Sequence, residues 1–381
     1  MAEGITTREL NRATLARQLL LSREPLGVGD AVRRVVALQA QHPASPYVAL
    51  WNRVDGFDPG ELDAAFADRT VVKATLMRIT LHAVHEGDHR VFREAMQRTL
   101  YASRLGYRFA AAGLTPADAH GLLPELLAFA EQPRTAVELQ AWLQARLGAE
   151  KKAGAWWGLK AYATLLHVAT GGPWSFGARS SFVAAPTGPP PMEREGAPRA
   201  LEQLVLRYLA AFGPASLADI AQFGTLPRGP VRQALRALGD AVEELQGADG
   251  TVLFDVPGAP RPPADTPAPP RLLGMWDSVL LAHADRTRVI PEDLRRVVIR
   301  VNGDVLPTLL VDGRVAGVWR PVEDGVEATA FHELTSADWD GLAEEARSLT
   351  ALLARREPRA YRRYEHWWRR LPDGQVRLLP G

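Results

Sequence analysis

The chain has 381 residues, of which 46% are hydrophobic, so it is long enough for about two to four modules with buried cores. Its formal net charge of +1 at pH 7 excludes a surface uniformly coated with positive charge, so a polyanion would be bound by locally clustered cations. No apolar run approaches the roughly 18 residues of a membrane-spanning helix, and the N-terminus MAEGITTREL does not resemble a signal peptide, so we expect a cytoplasmic protein.

The residue types that commonly build metal and redox sites are scarce. The chain has no cysteine, which excludes disulfides, thiolate metal sites and a cysteine nucleophile. Among the nine histidines and the carboxylates we identify no metal-ligand cluster. We therefore expect neither a metal nor a cofactor.

Residues 8–86 are predicted to form three helices followed by two strands. The helices are RELNRATLARQLLLS, GDAVRRVVALQ and PGELDAAFADR, and the strands are VVKATLMR and TLHAVH. This order is typical of a winged helix-turn-helix, and we assign the unit to residues 8–90.

Two glutamines mark the predicted end of the second helix. Gln39 and Gln41 lie in VVALQAQHP, where His42 precedes Pro43, a position that disfavours the α conformation. Residues i and i+2 do not share a helical face, but at an extended or distorted helix end both amides can enter one cleft. The alternative is a solvent-facing pair, which the spacing alone favours.

A second copy of the pattern fits residues 119–185, in a unit that we assign to residues 91–195. LLPELLAFAEQ, TAVELQAWLQARL and WWGLKAYATLLHVAT are the predicted helices, and GPWSFGARSSFVAA supplies the wing. A generic helical segment explains this copy equally well.

The clearest copy spans residues 201–257, in a unit that we assign to residues 199–258. LEQLVLRYLAAFG has helical periodicity and stops at Gly213 and Pro214. In SLADIAQFG, Ser216 is the predicted N-cap and Asp219 completes a capping box. VRQALRAL is the third helix, and VEELQGADGTVLFDV predicts two strands around a turn that contains glycine.

The remaining chain is predicted as a proline-rich linker at residues 259–271 and a C-terminal module at residues 272–381. The module has β-rich stretches in LLGMWDSVLLA, VVIRVNGDVLPTLLVDGRVAGVWR and VEATAFHEL, with hairpin turns at Asn302 and Asp312. ADWDGLAEEARSLTALLARR returns to helix. The predicted fold class is mainly α with β-hairpin wings (α+β): three tandem winged helix-turn-helix units and a C-terminal α/β module.

Basic residues are concentrated near the C-terminus, in ARREPRAYRRYEHWWRR. Arginines interleaved with aromatic residues can grip phosphates and stack on bases. The alternative, which we slightly favour, is an amphipathic helix whose aromatic residues pack on the body and whose arginines are merely solvated. The interleaved residues are Arg355, Arg356, Arg359, Tyr361, Arg362, Arg363, Tyr364, Trp367, Trp368, Arg369 and Arg370.

The third helices of the first and third units differ in charge. The helix of the first unit is acidic, with Glu61, Asp63 and Asp68, whereas PRGPVRQALRAL of the third unit carries arginines. Because DNA phosphates repel an acidic helix, at least one unit is not built to read base edges. A chain with several such modules is expected to act as a monomer.

Several segments resemble the winged-helix DNA glycosylases of the AlkZ and AlkX (YcaQ) type. They are LQAQ with the P...VALW.R segment after it, MRITLHAVHEGD, MWDSVLLAHADRTRVIP and LVDGRVAGVWR, and they span nearly the whole chain. Gln39-Ala40-Gln41 matches the Gln-aliphatic-Gln motif of the AlkZ branch, whereas AlkX-type members have aspartate at the second position. The resemblance implies that the tandem units form a concave DNA-binding surface.

The resemblance also implies an activity and a partner. Members remove N7-alkylguanines and unhook interstrand crosslinks, often as self-resistance in producers of DNA-alkylating natural products. The expected partner is double-stranded DNA carrying alkylated guanine, with nucleoid association when bound and no obligate protein partner. Gln39 and Gln41 are the implied catalytic residues. The candidate DNA contacts, each with a structural alternative, are Arg78, His82, His283, Arg286 and Arg288.

Glutamine does not titrate near neutrality, so it cannot act as a general base in the way a carboxylate does. An N7-alkylated guanine is already cationic and leaves as a neutral base, through a transition state that resembles an oxocarbenium ion. The amide oxygens of Gln39 and Gln41 would face the sugar cation and hold a water molecule for attack. This hypothesis predicts a monofunctional enzyme without a covalent intermediate.

Two hypotheses from other classes remain at this stage. A non-catalytic winged-helix regulator would bind promoters with a large specificity ratio, whereas a repair enzyme would bind mostly through phosphates. A resistance protein that sequesters a toxin would bind the free compound without DNA.

Overall fold

The computed structural model describes residues 4–147, 154–188, 197–323 and 325–381. These residues form a mixed α/β protein with small antiparallel sheets, in agreement with the predicted α+β class. The end of the second predicted unit, residue 195, lies outside the described residues, and the unit boundaries stay predictions.

The first part of the chain forms α1 (Thr7–Arg17), α2 (Val28–Arg34), β1 (Leu38–Gln39), α3 (Ser45–Trp51), α4 (Pro59–Ala67), β2 (Val71–Thr75) and β3 (Leu81–His85). A capping box between Thr6 and Glu9 begins α1. β2 and β3 pair as the predicted hairpin, and β1 pairs with the other edge of β3. The three strands of this part therefore pair with partners that are close in the chain.

The second part forms α5 (Glu86–Ala95), α6 (Gln97–Tyr101), α7 (Arg104–Ala111), α8 (Pro116–Phe129), β4 (Arg134–Thr135), α9 (Ala136–Leu147), α10 (Ala155–Leu159), β5 (Leu165–His167) and β6 (Ser181–Ala184). β5 pairs with both β2 and β6, so the first two parts share one six-stranded sheet in the order β1-β3-β2-β5-β6-β4. The wing of the second part thus extends the sheet of the first.

The third part forms α11 (Ala197–Phe212), α12 (Leu217–Gly224), α13 (Arg228–Leu238), β7 (Glu243–Gln246) and β8 (Val252–Asp255). Three helices followed by a hairpin are the order that the sequence predicts here. Ser216 caps α12 in a capping box with Asp219, as expected from the spacing. The local signals of this part were therefore sufficient to place its elements.

The C-terminal module forms β9 (Arg271–Leu273), α14 (Arg295–Val298), β10 (Thr308–Val311), β11 (Arg314–Val322), β12 (Gly325–Ala330), α15 (Ser336–Ala354) and β13 (Gln375–Pro380). The strands make an antiparallel sheet in the order β13-β12-β11-β10-β9. Short 3-10 helices lie at Met77–Ile79, Gly239–Ala241, Ser278–Leu280, Glu292–Leu294 and Arg362–Arg370.

The proline-rich segment before β9 is attached to α1 by three arginines. Arg8 Nε donates to the carbonyl oxygen of Ala264 at 2.8 Å, and Arg12 Nε donates to that of Thr266 at 2.7 Å. Arg17 Nε donates to the carbonyl oxygen of Pro260 at 3.1 Å. The predicted stiff linker is therefore a strap that lies on the first helix.

Several predicted elements differ from the structure. The third helix of the second part ends at Leu159, and the segment Leu165–His167, also predicted as helix, is β5. Pairing with β2 on one side and β6 on the other overrides the helical periodicity there. In LLGMWDSVLLA, a strand is formed only at Arg271–Leu273, and a 3-10 helix follows at Ser278–Leu280. No sequence pattern indicated α3.

Candidate active site

Gln39 is the last residue of β1, an edge strand of the six-stranded sheet, and Gln41 follows two residues later. α2 ends at Arg34, and β1 pairs with β3 so that Gln39 is opposite His82. The pairing continues at Ala40, whose N–H donates to the carbonyl oxygen of Leu81 at 2.8 Å. Extended backbone directs residues i and i+2 to the same side. The helix thus ends before the motif, and the extended interpretation of the glutamine pair agrees with the structure.

Gln39 is buried, and hydrogen bonds fix its amide. Its side chain is only 4% exposed. Arg78 Nη2 donates to Gln39 Oε1 at 3.2 Å, and Gln39 Nε2 donates to Thr80 Oγ1 at 3.2 Å. Because a guanidinium can only donate, the amide oxygen must be the atom that faces Arg78. Thr80 Oγ1 lies 3.1 Å from the carbonyl oxygen of Met77, which can accept its proton.

Arg78 holds this network in place from the turn of the β2–β3 hairpin. Its φ angle of 52° is in the left-handed region, so the turn aims the guanidinium back at the sheet. Arg78 Nη1 donates to the carbonyl oxygen of Phe223 at 3.3 Å, which ties the hairpin to α12. Burial, followed by the positive charge of Arg286, lowers the pKa of Arg78 to about 10, so the side chain stays cationic at neutral pH.

His82 is a neutral acceptor in the same network. Its Nδ1 lies 3.1 Å from the carbonyl oxygen of Thr80, so Nδ1 carries the proton, and Nε2 accepts from Arg78 Nη2 at 3.2 Å. Burial, and then the charge of Arg78, hold the pKa of His82 well below its usual value. His82 is fully buried, which argues against the predicted direct DNA contact, and that contact stays a prediction.

Gln41 is the exposed member of the pair. Its Oε1 lies 3.5 Å from the N–H of Leu81, which is the outer limit of a hydrogen bond, so the amide is weakly held. One residue further on, His42 packs against two rings, with centroid distances of 4.8 Å to Tyr361 and 6.0 Å to Tyr364. Gln41 is therefore the glutamine that can reach a bound molecule without rearrangement.

His42 does not supply the general base that glutamine lacks. Burial first, and then the charges of Arg363 and Lys73, lower the pKa of His42 to about 4. Its Nδ1 accepts from the N–H of Ala44 at 3.2 Å, so the proton of the neutral ring is on Nε2. Nε2 of His42, which makes no hydrogen bond within the turn, is thus a donor.

Two of the predicted DNA contacts in the C-terminal module are structural. His283 is 1% exposed, and its Nε2 donates to the carbonyl oxygen of Phe212 at 3.0 Å. Arg288 is 5% exposed, and its Nη1 donates to the carbonyl oxygen of Pro214 at 3.0 Å. Buried and hydrogen-bonded side chains do not face a polyanion, which argues against both contacts, and the two contacts stay predictions. The segment that carries them follows a 3-10 helix at Ser278–Leu280 and consists of turns.

Arg286 differs from its neighbours. It is half-buried, and after burial its positive charge is the second cause that lowers the pKa of Arg78. Across the described ranges, neither arginine has a carboxylate within ion-pair distance. Of the three candidate contacts in this segment, Arg286 is therefore the one that remains partly accessible.

Sequence reasoning missed three aspects of this site. Thr80 was not identified, although it follows the predicted turn and its hydroxyl orients Gln39. Phe223 and Tyr361 come from distant segments, and no local pattern indicates that they reach the hairpin and His42. Only the tertiary fold shows these contacts.

The sequence does contain histidines at a spacing typical of zinc ligands, which the composition-based interpretation overlooked. His85 and His89 stand in the order His-Glu-Gly-Asp-His, the pattern that zinc hydrolases use on a helix. Here His85 is the N-cap of α5 and accepts from the N–H of Gly87 at 3.1 Å, whereas His89 is buried. Over the described ranges, no three His, Asp or Glu side chains are grouped to hold a metal ion.

Among the helices of the described residues, none combines the length and apolar character of a membrane span.

Comparisons with known proteins point to DNA repair. A family model described as "DNA glycosylase AlkZ-like" matches residues 32–352. A protein of Streptomyces sahachiroi named "Interstrand DNA cross-link repair glycosylase" is 25% identical over 355 residues, which cover 87% of this chain and 92% of the relative. The solved structure of "Streptomyces sahachiroi DNA glycosylase AlkZ" matches with a TM-score of 0.77 and 23% identity, covering 92% of this chain and 96% of that one. This structural likeness shows a shared fold.

Proposed function

Because the chain belongs to the AlkZ-like DNA glycosylase family, we propose that it hydrolyses the N-glycosidic bond of cationic N7-alkylguanine adducts in double-stranded DNA. The adducts include bulky ones and interstrand crosslinks, as the name of the Streptomyces relative suggests. The observation that carries the proposal is the pairing of an oriented, buried amide at Gln39 with an exposed amide at Gln41 on one extended segment. Family membership in a group of enzymes leaves the regulator and toxin-sequestration hypotheses without a supporting observation.

The reaction needs no acid and little base. The bond between the anomeric carbon and N9 breaks, its electron pair stays on the base, and the alkylated guanine leaves as a neutral molecule. A water oxygen then bonds to the anomeric carbon and releases its proton to solvent, which leaves an abasic site. The neutral state of His42 and His82 fits a step that uses no titrating side chain.

The two glutamines have different roles in this proposal. The amide oxygen of Gln39 has two lone pairs, and Arg78 occupies one of them. Its dipole is therefore fixed before substrate binds, which is what electrostatic stabilisation requires. Gln41 is free to turn its oxygen toward the developing sugar cation or toward the attacking water. A cationic lesion is favoured because amide dipoles cannot protonate a neutral leaving group.

The guanidinium groups of Arg78 and Arg286 support DNA contact at the same site. Neither guanidinium has a carboxylate partner within the described ranges, so a bound anion would supply the missing counter-charge. A backbone phosphate next to the damaged nucleotide is the anion that the substrate supplies. Electrostatic binding of this kind is independent of sequence, as repair requires.

The test is single-turnover excision of N7-methylguanine from a labelled duplex. The wild type is compared with Gln39→Ala, Gln41→Ala and the double substitution. Gln375→Ala is the matched control, because Gln375 is an exposed glutamine on β13. We expect base release to collapse in the motif variants while duplex binding persists and the control keeps wild-type activity.

Three results contradict the proposal. Wild-type activity in the double variant would show that the glutamines have no role in the mechanism. No release of base by the wild type from methylated or crosslinked duplexes would contradict the proposed substrate class. Capture of a covalent intermediate by borohydride would also count against hydrolysis by water.

A further inference from the structure

The basic segment near the C-terminus is a 3-10 helix, Arg362–Arg370, with a regular division of its faces. A 3-10 helix has three residues per turn, so residues i and i+3 lie above one another. Tyr361, Tyr364 and Trp367 form one such row, and all three are buried. This row attaches the segment to the body, as the amphipathic interpretation of the sequence expects.

A second row is exposed and basic. It contains Arg363, His366 and Arg369, which we call the basic row. The neighbouring carboxylate, Glu365, is paired with Arg359 at 2.7 Å. In the part of the chain that the structure describes, Arg363 and Arg369 have no ion-pair partner. The positive charge of this row is therefore not neutralised by the protein.

The basic row begins at the candidate active site. The rings of Tyr361 and Tyr364 contact His42, the residue that follows Gln41. Arg363 precedes Tyr364 directly, and its charge is also one of the causes that lower the pKa of His42. A row of unpaired cations thus leads away from the exposed glutamine.

The support beneath the row is rigid. Trp367 Nε1 donates to Asp304 Oδ2 at 2.8 Å, and Tyr364 packs edge-on against Trp276 with a centroid distance of 5.3 Å. If the arginines only faced solvent, their backbone would not need to be anchored by these contacts. Because the backbone is held, the cations lose less freedom when they bind a fixed array of charges.

We propose that Arg363, His366 and Arg369 bind backbone phosphates of the DNA strand that flanks the nucleotide at Gln41. The assignment rests on the proposed function, since it takes damaged duplex DNA as the substrate. At a rise of about 2.0 Å per residue, Arg363 and Arg369 are about 12 Å apart along the helix. That distance covers three to four base-pair steps at about 3.4 Å each, so the row can contact more than one phosphate.

A cleft beside the basic row has room for a DNA strand. Trp368, Arg369 and His366 line an open cleft of about 470 Å³, together with Arg320 and Glu365. The carboxylate of Glu365 is engaged by Arg359, and Arg320 is paired with Glu327 at 2.8 Å. The uncompensated charges at this cleft are thus those of the basic row, and DNA is the occupant that complements them.

The experiment measures affinity for an unmodified duplex as a function of salt, together with single-turnover excision. The variants are Arg363→Ala, Arg369→Ala, the double substitution and Arg363→Lys. Arg347→Ala is the matched control, because Arg347 is an exposed arginine of the same module on α15. The slope of log affinity against log salt should become shallower by about 0.9 for each phosphate that the variant no longer neutralises. We expect Arg363→Lys to keep the wild-type slope and the control to be unchanged.

The outcomes separate this proposal from the proposed function. A wild-type salt slope in the double variant would overturn the phosphate contact, even if the glutamine variants lose excision. A shallower slope together with no excision by the wild type would support the contact and contradict the substrate class. An unchanged melting temperature in each variant shows that the loss is not one of folding. Competition by inorganic phosphate at the concentration that displaces DNA would indicate a site for the free ion, and it would contradict a site built for a strand.

Discussion

Arg78 Nη2 lies 3.2 Å from Gln39 Oε1 and 3.2 Å from His82 Nε2, so one guanidinium orients both acceptors across β1 and β3. The relationship makes Arg78 part of the positioning of Gln39 as well as a candidate contact for DNA. It also explains why a glutamine in a motif proposed for catalysis is almost entirely buried: its amide is fixed from behind by the hairpin turn.

Removal of the Arg78 side chain is expected to slow excision. Arg78→Gly is the appropriate variant, because glycine tolerates the left-handed backbone at this position. Loss of one hydrogen bond from a charged donor costs about 1.5–3 kcal/mol, which corresponds to a fall of about 10–100-fold in the single-turnover rate. Arg78→Lys should restore part of the rate by keeping the charge. An excision rate equal to that of the wild type in Arg78→Gly would show that Gln39 needs no orientation from this side.

Arg288 is expected to act on stability and not on DNA affinity. Its guanidinium is buried, donates to the carbonyl oxygen of Pro214 and lies 3.9 Å from Asp219. Arg288→Met keeps the length of the side chain but removes the donor to the Pro214 carbonyl oxygen and the cation beside Asp219, which should lower the free energy of unfolding by about 1–3 kcal/mol. Urea titration measures that loss, and duplex binding at a temperature where the variant is folded should be unchanged. A selective loss of duplex affinity would restore Arg288 as a DNA contact.

The elements that the sequence predicted well are those whose signals are local. The capping box of Ser216 and Asp219 and the turn before β8 depend on residues a few positions apart. The prediction failed at β5 because its strand character comes from pairing with β6, which follows it in the chain, and with β2, which is about ninety residues earlier. Periodicity within a window carries no information about such a partner.

The same limit applies to the candidate site. The resemblance identified Gln39 and Gln41, but a motif does not show that one amide is buried and the other exposed. His283 and Arg288 were attractive because they stand in a polar segment with basic residues. Their burial follows from the packing of that segment on α11 and α12, whose residues are about seventy positions away. The hydrogen bond from Arg78 to the carbonyl oxygen of Phe223 has the same nonlocal origin.

The buried pair between Arg53 and Asp277 should be among the interactions whose loss destabilises the protein most. Both side chains are 1% exposed, and two hydrogen bonds of 2.8 Å join the end of α3 to the C-terminal module. Asp277→Asn retains the shape but leaves a buried, unpaired cation, which costs about 3–5 kcal/mol.

A surface pair on α5 provides the control. Glu94→Gln breaks the exposed ion pair with Arg90, for which we expect at most about 0.5 kcal/mol. Chemical denaturation of both variants makes the comparison. Equal losses would mean that the Arg53–Asp277 pair does not carry the contact between the two parts.

Acid should destabilise the protein between about pH 6.5 and pH 4.5, because several histidines are buried as neutral rings. Burial is the largest cause in each case, and it lowers the pKa of His42 and His89 to about 4 and that of His167 to about 3. In the unfolded chain these groups bind protons near pH 6.5. Below that pH the unfolded state therefore binds more protons than the folded state. Stability is therefore full above that pH and is lost as the pH falls, by about 1.4 kcal/mol per pH unit for each histidine.

His167→Gln tests the sign and the size of this effect. The amide cannot titrate, so the slope of unfolding free energy against pH should fall by the contribution of one proton. This holds whatever the stability of the variant is at pH 7. Carboxylates with lowered pKa values, such as Glu9 and Asp68, change the stability below about pH 4.5. The change of stability between about pH 4.5 and pH 6.5 therefore comes from the histidines. Urea titrations at half-unit intervals between pH 4.5 and 7.5 give the slope. A slope that is the same in the variant and the wild type would mean that His167 takes up its proton in the folded state, and that its cavity opens to water.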